Sequence, residues 1–304
     1  MGKTVLIAGG SGFIGVRLIE LLQAQGHSVR LLTRTPRANN HFGWDPSAGR
    51  IDDAALQGVQ VVINLAGAGI AEKRWTPARK QLIVDSRVQS AGVLREAFQR
   101  LKHLPDAYLA ASAIGYYGNS GERWMTEEDP PADQGFLSTS TVEWEAATER
   151  IGALGVRTVA LRIGIVLERD GGALREIIRP LRFGLGAYFA DGRAWYSWIH
   201  RDDVCRLFLW AMENARAEGI YNAVAPYPVR NRELVQATAR AMGRHALFAP
   251  VPAFALRLML GEMADVVLNS TRVSAGKILD TGFSFRYPTV EEALQHIFEP
   301  QKTK

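Results

Sequence analysis

Two hydrophobic periods alternate along the first half of the chain. Short apolar runs predict buried strands at Thr4–Ala8, Ser28–Thr33, Val59–Leu65, Ala107–Ser112 and Val156–Arg162. Between them, apolar positions recurring every three or four residues predict helices over Ile14–Ala24, about Pro77–Leu101 and about Thr141–Leu154. Gly26 follows the first helix as a C-terminal cap. Strands separated by helices imply right-handed βαβ units and a parallel sheet with helices on both faces.

After Arg162 the texture changes. Gly171-Gly172 opens a helical segment to Phe183, and 184–199 is aromatic and expected to be irregular. Asp202–Ala215 predicts a helix, and Gly219–Ala223 a short strand that rejoins the sheet. Helical patterns follow at Arg232–Met242, Pro252–Leu260 and Thr289–Phe298, with Pro250, Pro252 and Pro288 between them. The expected fold is α/β: a Rossmann-type doubly wound parallel sheet with a smaller, partly discontinuous C-terminal substrate lobe. The expected boundaries are 1–164 plus about 200–224 for the sheet domain, and about 165–199 and 225–304 for the lobe.

The first strand runs directly into Gly9-Gly-Ser-Gly-Phe-Ile-Gly15. Glycines 10, 12 and 15 satisfy G-x-G-x-x-G, and 9, 12 and 15 satisfy G-x-x-G-x-x-G. A glycine turn between a buried strand and an amphipathic helix allows positive φ, close approach of backbone to phosphate and close helix–strand packing. Amides at the helix start then face an anion along the helix dipole. Gly9, Ser11, Gly12, Phe13, Ile14 and Gly15 are therefore candidate dinucleotide contacts.

Composition narrows the classes. The single cysteine, Cys205, excludes an internal disulfide and a Cys-rich zinc site, and fits a reducing, cytoplasmic setting. No basic leader precedes the first strand, so no signal peptide is expected. The longest apolar runs are too short to span a bilayer, so no membrane is expected. A net charge of +5 is scattered among acids, which argues against a nucleic-acid partner. No His/Asp/Glu cluster has metal-ligand spacing.

About twenty residues beyond the glycines, where an acid would hold the ribose 2′-OH of NAD, the chain has Thr33-Arg34-Thr35, with Arg37 nearby. An acid would repel a 2′-phosphate, whereas arginine grips it through two charge-assisted hydrogen bonds. NADP(H) is expected over NAD(H). A further strand ends in Asn64-Leu65-Ala66-Gly67, small enough for close approach of an adenine and ribose.

These pieces, with Ser112-Ala-Ile-Gly-Tyr-Tyr-Gly118, Leu161-Arg162 and Trp198-Ile-His-Arg-Asp-Asp-Val204, resemble the extended short-chain dehydrogenase/reductase superfamily in its NAD(P)-dependent epimerase/dehydratase branch. The tail, with Leu260-Gly-Glu-Met263 and Gly282–Pro288, resembles the narrower "epimerase family" subgroup, related to bacterial sugar-nucleotide-epimerase-like proteins and to short-chain dehydrogenase family 39U. The resemblance implies a substrate cleft between sheet and lobe, and adds Arg87, Ala111 and Arg162 to the cofactor contacts. Many superfamily members pair two long helices of the sheet domain into a homodimer interface; Val84, Val88 and Leu94 lie on one such helix, where packing on the core explains them equally well.

The superfamily uses a tyrosine as acid/base, a lysine four residues later and a serine or threonine on the reacting oxygen. A phenol needs a neighbouring cation to work near neutrality. Ser112 matches the serine. No tyrosine is followed by lysine at four residues, and the two positions fall at Leu137 and Thr141. Two further places where sugar-nucleotide members carry Asn and Arg hold Ile165 and Tyr196. Tyr116 and Tyr117 lie near Ser112 in sequence, Lys73 and Arg74 are loop cations, and Glu143 lies near the vacated pair. His200, beside Asp202 and Asp203, is a candidate proton shuttle or an anchor. Tyr188, Trp195, Tyr196 and Trp198 are aromatic cleft candidates. The expected function is an NADP(H)-dependent oxidoreductase or epimerase-like enzyme acting on an unidentified small molecule. The alternative is a non-catalytic NADP(H)-sensing module that regulates a partner protein.

Overall fold

A computed structural model describes residues 2–299. Its main sheet has eight strands: β1 (Thr4–Ala8), β2 (Ser28–Thr33), β3 (His41–Asp45), β4 (Arg50–Ile51), β5 (Val61–Asn64), β6 (Ala107–Ala113), β7 (Arg157–Ile163) and β8 (Gly219–Ala223). Their order is β8-β7-β6-β5-β1-β2-β3-β4. Pairing from β6 through β5, β1 and β2 to β3 is parallel, and β4 runs antiparallel to β3. The chain thus leaves β1 toward β2 on one side and toward β5 on the other, which makes the end of β1 the switch point of a doubly wound sheet.

β1 and its neighbour β5 lack the polar alternation of a half-exposed strand because both sheet faces are covered there. Val5–Ala8 and Val61–Asn64 are buried without alternation. The crossover helices are α1 (Phe13–Ala24), α2 (Pro77–Leu101) and α3 (Phe136–Gly152). Thr76 caps α2 by accepting from the Arg79 amide at 3.2 Å, and Pro77 occupies its first turn. α3 begins five residues before its periodicity predicts. Phe136 packs edge-on against Trp75, with centroids 4.8 Å apart, and this tertiary contact extends the helix. Leu94 and Phe98 of α2, Ala147 and Ile151 of α3, and Leu6, Val62 and Tyr108 of the sheet share one core. Leu94 is therefore a core residue, while Val84 and Val88 are half-buried.

β3 and β4 are absent from the hydrophobic pattern. His41-Phe-Gly-Trp-Asp buries only Trp44, and it becomes a strand by adding to the edge of β2.

The chain divides into two compact units. The first holds the residues up to Tyr116, Phe136–Arg162 and Cys205–Tyr221, and the second holds Tyr117–Gly135, Ile163–Val204 and the chain from Asn222 onward. In the second unit the 184–199 stretch is more regular than expected. Leu185–Phe189 pairs in parallel with Leu247–Val251, Trp195–Tyr196 antiparallel with Val229–Arg230, and Trp198–His200 in parallel with Ile165–Glu168. Helices Gly172–Leu181, Asn231–Ala241 and Val290–Phe298 supply Leu174, Ile178, Leu234 and Leu294 to its core.

Candidate functional site

Among the glycines of the first turn, Gly9 and Gly15 are the constrained ones. Gly9 has φ +79°, and a Cβ there would stand 2.7 Å from the Leu65 carbonyl carbon. A Cβ at Gly15 would stand 2.6 Å from the Gly9 carbonyl oxygen, so α1 meets the turn after β1 backbone to backbone. The Gly12 amide donates to the Gly9 carbonyl at 3.0 Å and closes the turn. α1 then starts at Phe13 with no side-chain cap and no acid in its first turn. Its first amides lack intrahelical acceptors, which is the arrangement that accepts an anion. Ser11 and Gly12 are exposed, and Phe13 and Ile14 half-buried, at this helix start.

The loop after β5 lies directly against that turn. Buried Asn64 shapes it, donating to Ser90 Oγ at 3.0 Å and Tyr108 Oη at 2.8 Å while its Oδ1 accepts from the Ala66 amide at 3.0 Å. The Ala68 amide donates to Ser86 Oγ at 2.9 Å. Leu65 and Ala66 are half-buried and Gly67 is exposed.

On the other side of β1, the Thr33 hydroxyl oxygen accepts from the Thr35 amide at 3.3 Å. Arg34 is exposed in a shallow groove lined also by Trp44, Asp45, Arg50 and Asp52. The end of β2 itself carries no carboxylate.

Three side chains meet in the interior at the end of β6. The Ser112 hydroxyl donates to Glu145 Oε1 at 2.6 Å. Arg162 closes a bidentate fork on the same carboxylate, Nε to Oε1 and Nη2 to Oε2, both at 2.8 Å. Ser112, Glu145 and Arg162 are 3 %, 5 % and 1 % exposed. The Arg162 guanidinium lies 3.4 Å from the centroid of the half-buried Tyr116 ring. Neighbouring Ala111 is buried in β6. The fork and the buried carboxylate complete each other, so Ser112 and Arg162 have their polar atoms committed inside the protein.

Glu145 is the residue that reasoning from the sequence missed in favour of Glu143. Glu143 is exposed. Glu145 lies four residues after Thr141 and eight after Leu137, so helical phase places it on their face of α3, though not against Ser112 or Arg162. Leu137 and Thr141 face Gly115, whose Cβ would lie 3.5 and 3.7 Å from them. The Thr141 hydroxyl donates back to the Leu137 carbonyl at 2.7 Å.

Arg87 contrasts with Arg162. Its Nη1 donates to the Ala68 and Ile83 carbonyls at 3.0 and 2.9 Å, its guanidinium lies 4.7 Å from the Trp144 centroid, and it fills the space a Gly67 Cβ would need. No carboxylate pairs with it among the described residues. Burial, then the nearby Arg79 charge, pushes its pKa down to about 10. Lys73 and Arg74 are exposed on the loop before α2.

The second unit takes several candidates into its framework. Tyr117 is fully buried and its hydroxyl donates to Asn222 Oδ1 at 2.7 Å. Tyr196 and Trp198 are core residues, not cleft walls: the Tyr196 hydroxyl donates to the Val267 carbonyl at 2.6 Å and the Trp198 indole to the Tyr227 carbonyl at 3.0 Å. Trp195 donates to Glu122 at 2.8 Å and lies between the Arg230 and Arg272 guanidiniums, 3.9 and 4.1 Å from its centroid. Half-buried Tyr188 lies 5.1 Å from Arg232. His200 is buried, its Nδ1 accepts from the Asp202 amide at 3.0 Å, and Tyr287 packs on it at 4.1 Å. Asp203 accepts from the Arg286 and Tyr287 amides at 2.8 and 2.9 Å, which ties that segment to the start of the Arg201–Glu213 helix. The described residues contain no group of three metal-ligating side chains and no helix long and apolar enough to cross a membrane.

Comparison with known proteins agrees with this geometry. The family model of the NAD dependent epimerase/dehydratase family matches residues 5–223, and that of a domain of unknown function, DUF1731, matches residues 251–297. Epimerase family protein YfhF of Bacillus subtilis is 36% identical over 305 residues, covering 98% of this chain and 99% of the relative. The crystal structure of human epimerase family protein SDR39U1 (isoform 2) with NADPH superposes with a TM-score of 0.89 at 32% identity, over 98% of this chain and 99% of that one. The nucleoside-diphosphate sugar epimerase of Corynebacterium glutamicum gives 0.80 at 29% identity, over 98% of this chain and 58% of that one.

Proposed function

The chain belongs to the NAD-dependent epimerase/dehydratase family, and on that premise we propose that it binds NADP(H) and uses it in an oxidoreductase or epimerase-like reaction on a small molecule. The carrying observation is the uncapped start of α1 beneath the Gly9–Gly15 turn. Its amides hold the pyrophosphate, and the Leu65–Gly67 loop, pressed against Gly9, lies along the dinucleotide. Arg34, on the carboxylate-free end of β2, takes the 2′-phosphate with Thr33 beside it. The NADPH in the human relative's structure supports this preference. When bound, the nicotinamide gives or accepts a hydride.

Of the candidate hydroxyls Ser112, Tyr116 and Tyr117, Ser112 and Tyr117 are sealed in buried hydrogen bonds. We therefore assign them, with Arg162 and Ala111, to the frame, and Tyr116 to proton transfer at the reacting oxygen. Ile165 and buried Tyr196, where sugar-nucleotide members carry an amide and a cation, favour a substrate other than a nucleoside-diphosphate sugar.

Calorimetry with NADPH and NADH tests the cofactor, and Arg34→Glu should weaken NADPH selectively. An unchanged preference removes Arg34 from the site. NADPH oxidation across a panel of carbonyl compounds tests the activity. Tyr116→Phe should stop turnover while NADPH binding persists, and full turnover in that variant would refute the assignment.

The inward-turned Thr141 hydroxyl favours a second reading, a non-catalytic NADP(H) sensor. It requires tight binding, no turnover on any carbonyl, and a protein partner whose affinity changes with NADPH. Equal partner binding with and without NADPH would sink it.

A further inference from the structure

In the second unit the short strands Trp124–Met125, Arg272–Val273, Trp195–Tyr196 and Val229–Arg230 lie side by side. Trp124 is in register with Arg272, Thr271 bridges to Tyr196, and Trp195 is in register with Arg230. Side chains alternate along a strand, and Met125, Val273 and Tyr196 are buried. Trp124, Arg272 and Trp195 therefore turn away from that core, and with Arg230 they form a row of alternating rings and cations. The Arg272 guanidinium lies 4.1 Å from the centroids of both Trp124 and Trp195, and that of Arg230 lies 3.9 Å from Trp195.

The two cations are unequally supplied. Arg230 closes a fork on Glu122, Nη1 to Oε1 at 2.7 Å and Nη2 to Oε2 at 2.8 Å. The Trp195 indole donates to the same Oε2 at 2.8 Å. The Arg230 fork, and then this indole, hold the Glu122 carboxyl down to about 2, so its charge is fully engaged. Arg272 pairs with no carboxylate among the described residues, and only its backbone amide donates, to Ser120 Oγ at 3.4 Å. Its Nε is sealed from solvent without an acceptor, while its Nη atoms are not sealed. Trp124 beside it is 42 % exposed.

A guanidinium drawn from water without a partner is costly unless a ligand completes it. Indoles lie against this one, so the in-plane Nη edge is the side a ligand can reach. Paired N–H donors in that plane match the oxygens of a carboxylate or a phosphate. We propose that the Arg272 edge is an oxyanion site, taking the carboxylate or phosphate of a small molecule whose body lies along the exposed Trp124 ring. The site lies wholly in the second unit and does not rest on the NADP(H) reading.

Nuclear magnetic resonance of the indole N–H groups, titrated with inorganic phosphate and with acetate at constant ionic strength, tests this. Trp124→Phe and Trp195→Phe assign the two reporters. Trp44, in the Arg34 groove of the first unit, reports on the other anion site. The Trp124 and Trp195 signals should move saturably with at least one anion, and the two titrations tell which oxyanion fits. Arg272→Gln should weaken that binding by about tenfold or more, the worth of a charge-assisted hydrogen bond, and leave the Trp44 response unchanged. If Arg272→Gln does not melt cooperatively, Arg272→Lys takes its place; it keeps the charge but not the fork, and should bind about threefold or more weakly. No saturable movement of Trp124 and Trp195 with either anion, or equal affinity in the substituted protein, would overturn the assignment. Phosphate that moves Trp44 alone would remove this site and leave the cofactor reading standing.

Discussion

Arg162 and Arg87 are two guanidiniums drawn away from water in the same unit, each laid against an aromatic ring, and only one has a carboxylate. Arg162 meets Glu145 through two bonds of 2.8 Å and is 1 % exposed. Arg87 meets backbone carbonyls and keeps one edge open. A closed, fully satisfied ion pair is framework, since nothing can bind it without breaking it. A cation held in place by backbone carbonyls leaves one edge of its fork without a protein acceptor. Burial alone does not separate these two roles, and hydrogen-bond completeness does.

The largest test of that contrast is removal of the carboxylate. Glu145→Ala leaves Arg162 buried and unpaired, and should cost about 3–5 kcal/mol in urea unfolding. A loss below about 1 kcal/mol would mean that water reaches Arg162 and that the two arginines do not differ in kind.

His200 extends the comparison to the second unit, because a histidine can shed its charge where an arginine cannot. Burial holds its pKa down to about 4 from 6.5, with Asp202 opposing and His296, Arg201 and Arg286 assisting. The unfolded chain therefore takes up the proton first as pH falls. His200 contributes stability that is fully present above about pH 6.5 and is lost progressively toward pH 4, by up to about 3 kcal/mol. Urea titrations at pH 7.5 and 4.5 should show this loss, and His200→Gln should reduce it. An equal loss in the variant would place the pH dependence on other groups.

Ser112→Ala comes next. It removes one donor from a carboxylate that keeps its arginine, and should cost about 1–2 kcal/mol without changing NADP⁺ affinity. Affinity lowered by an order of magnitude would move Ser112 from the frame to the site.

The smallest stability effect belongs to the open arginine. Arg87→Met should leave the ligand-free protein within about 1 kcal/mol of the original, while the rise in melting temperature on adding NADP⁺ shrinks. A loss of stability rivalling that of Glu145→Ala would make Arg87 a second structural strut.

Much of the fold was legible because the sheet is buried on both faces. Apolar runs such as Val5–Ala8 and Val61–Ile63 tolerate no other placement, and Gly219–Ala223 emerges with the boundaries its pattern predicts. The edge strand His41–Asp45 was not legible, since it buries one side chain and takes its shape from β2. Aromatic residues between 184 and 199 looked like cleft walls because composition does not distinguish an indole in a core from one in a site.

By itself the sequence determined the glycine turn, the alternation of the buried strands with the crossover helices, an NAD(P)-type family and the absence of a Tyr-x-x-x-Lys pair. All of these depend on residue type and local spacing. Only the tertiary structure decided what Ser112, Tyr117, Arg162 and Arg87 touch. Their contacts depend on partners that come from elsewhere in the chain. Glu145 reaches Ser112 across 33 residues, and Asn222 reaches Tyr117 across 105. Composition and periodicity carry no record of such distances, because folding creates them.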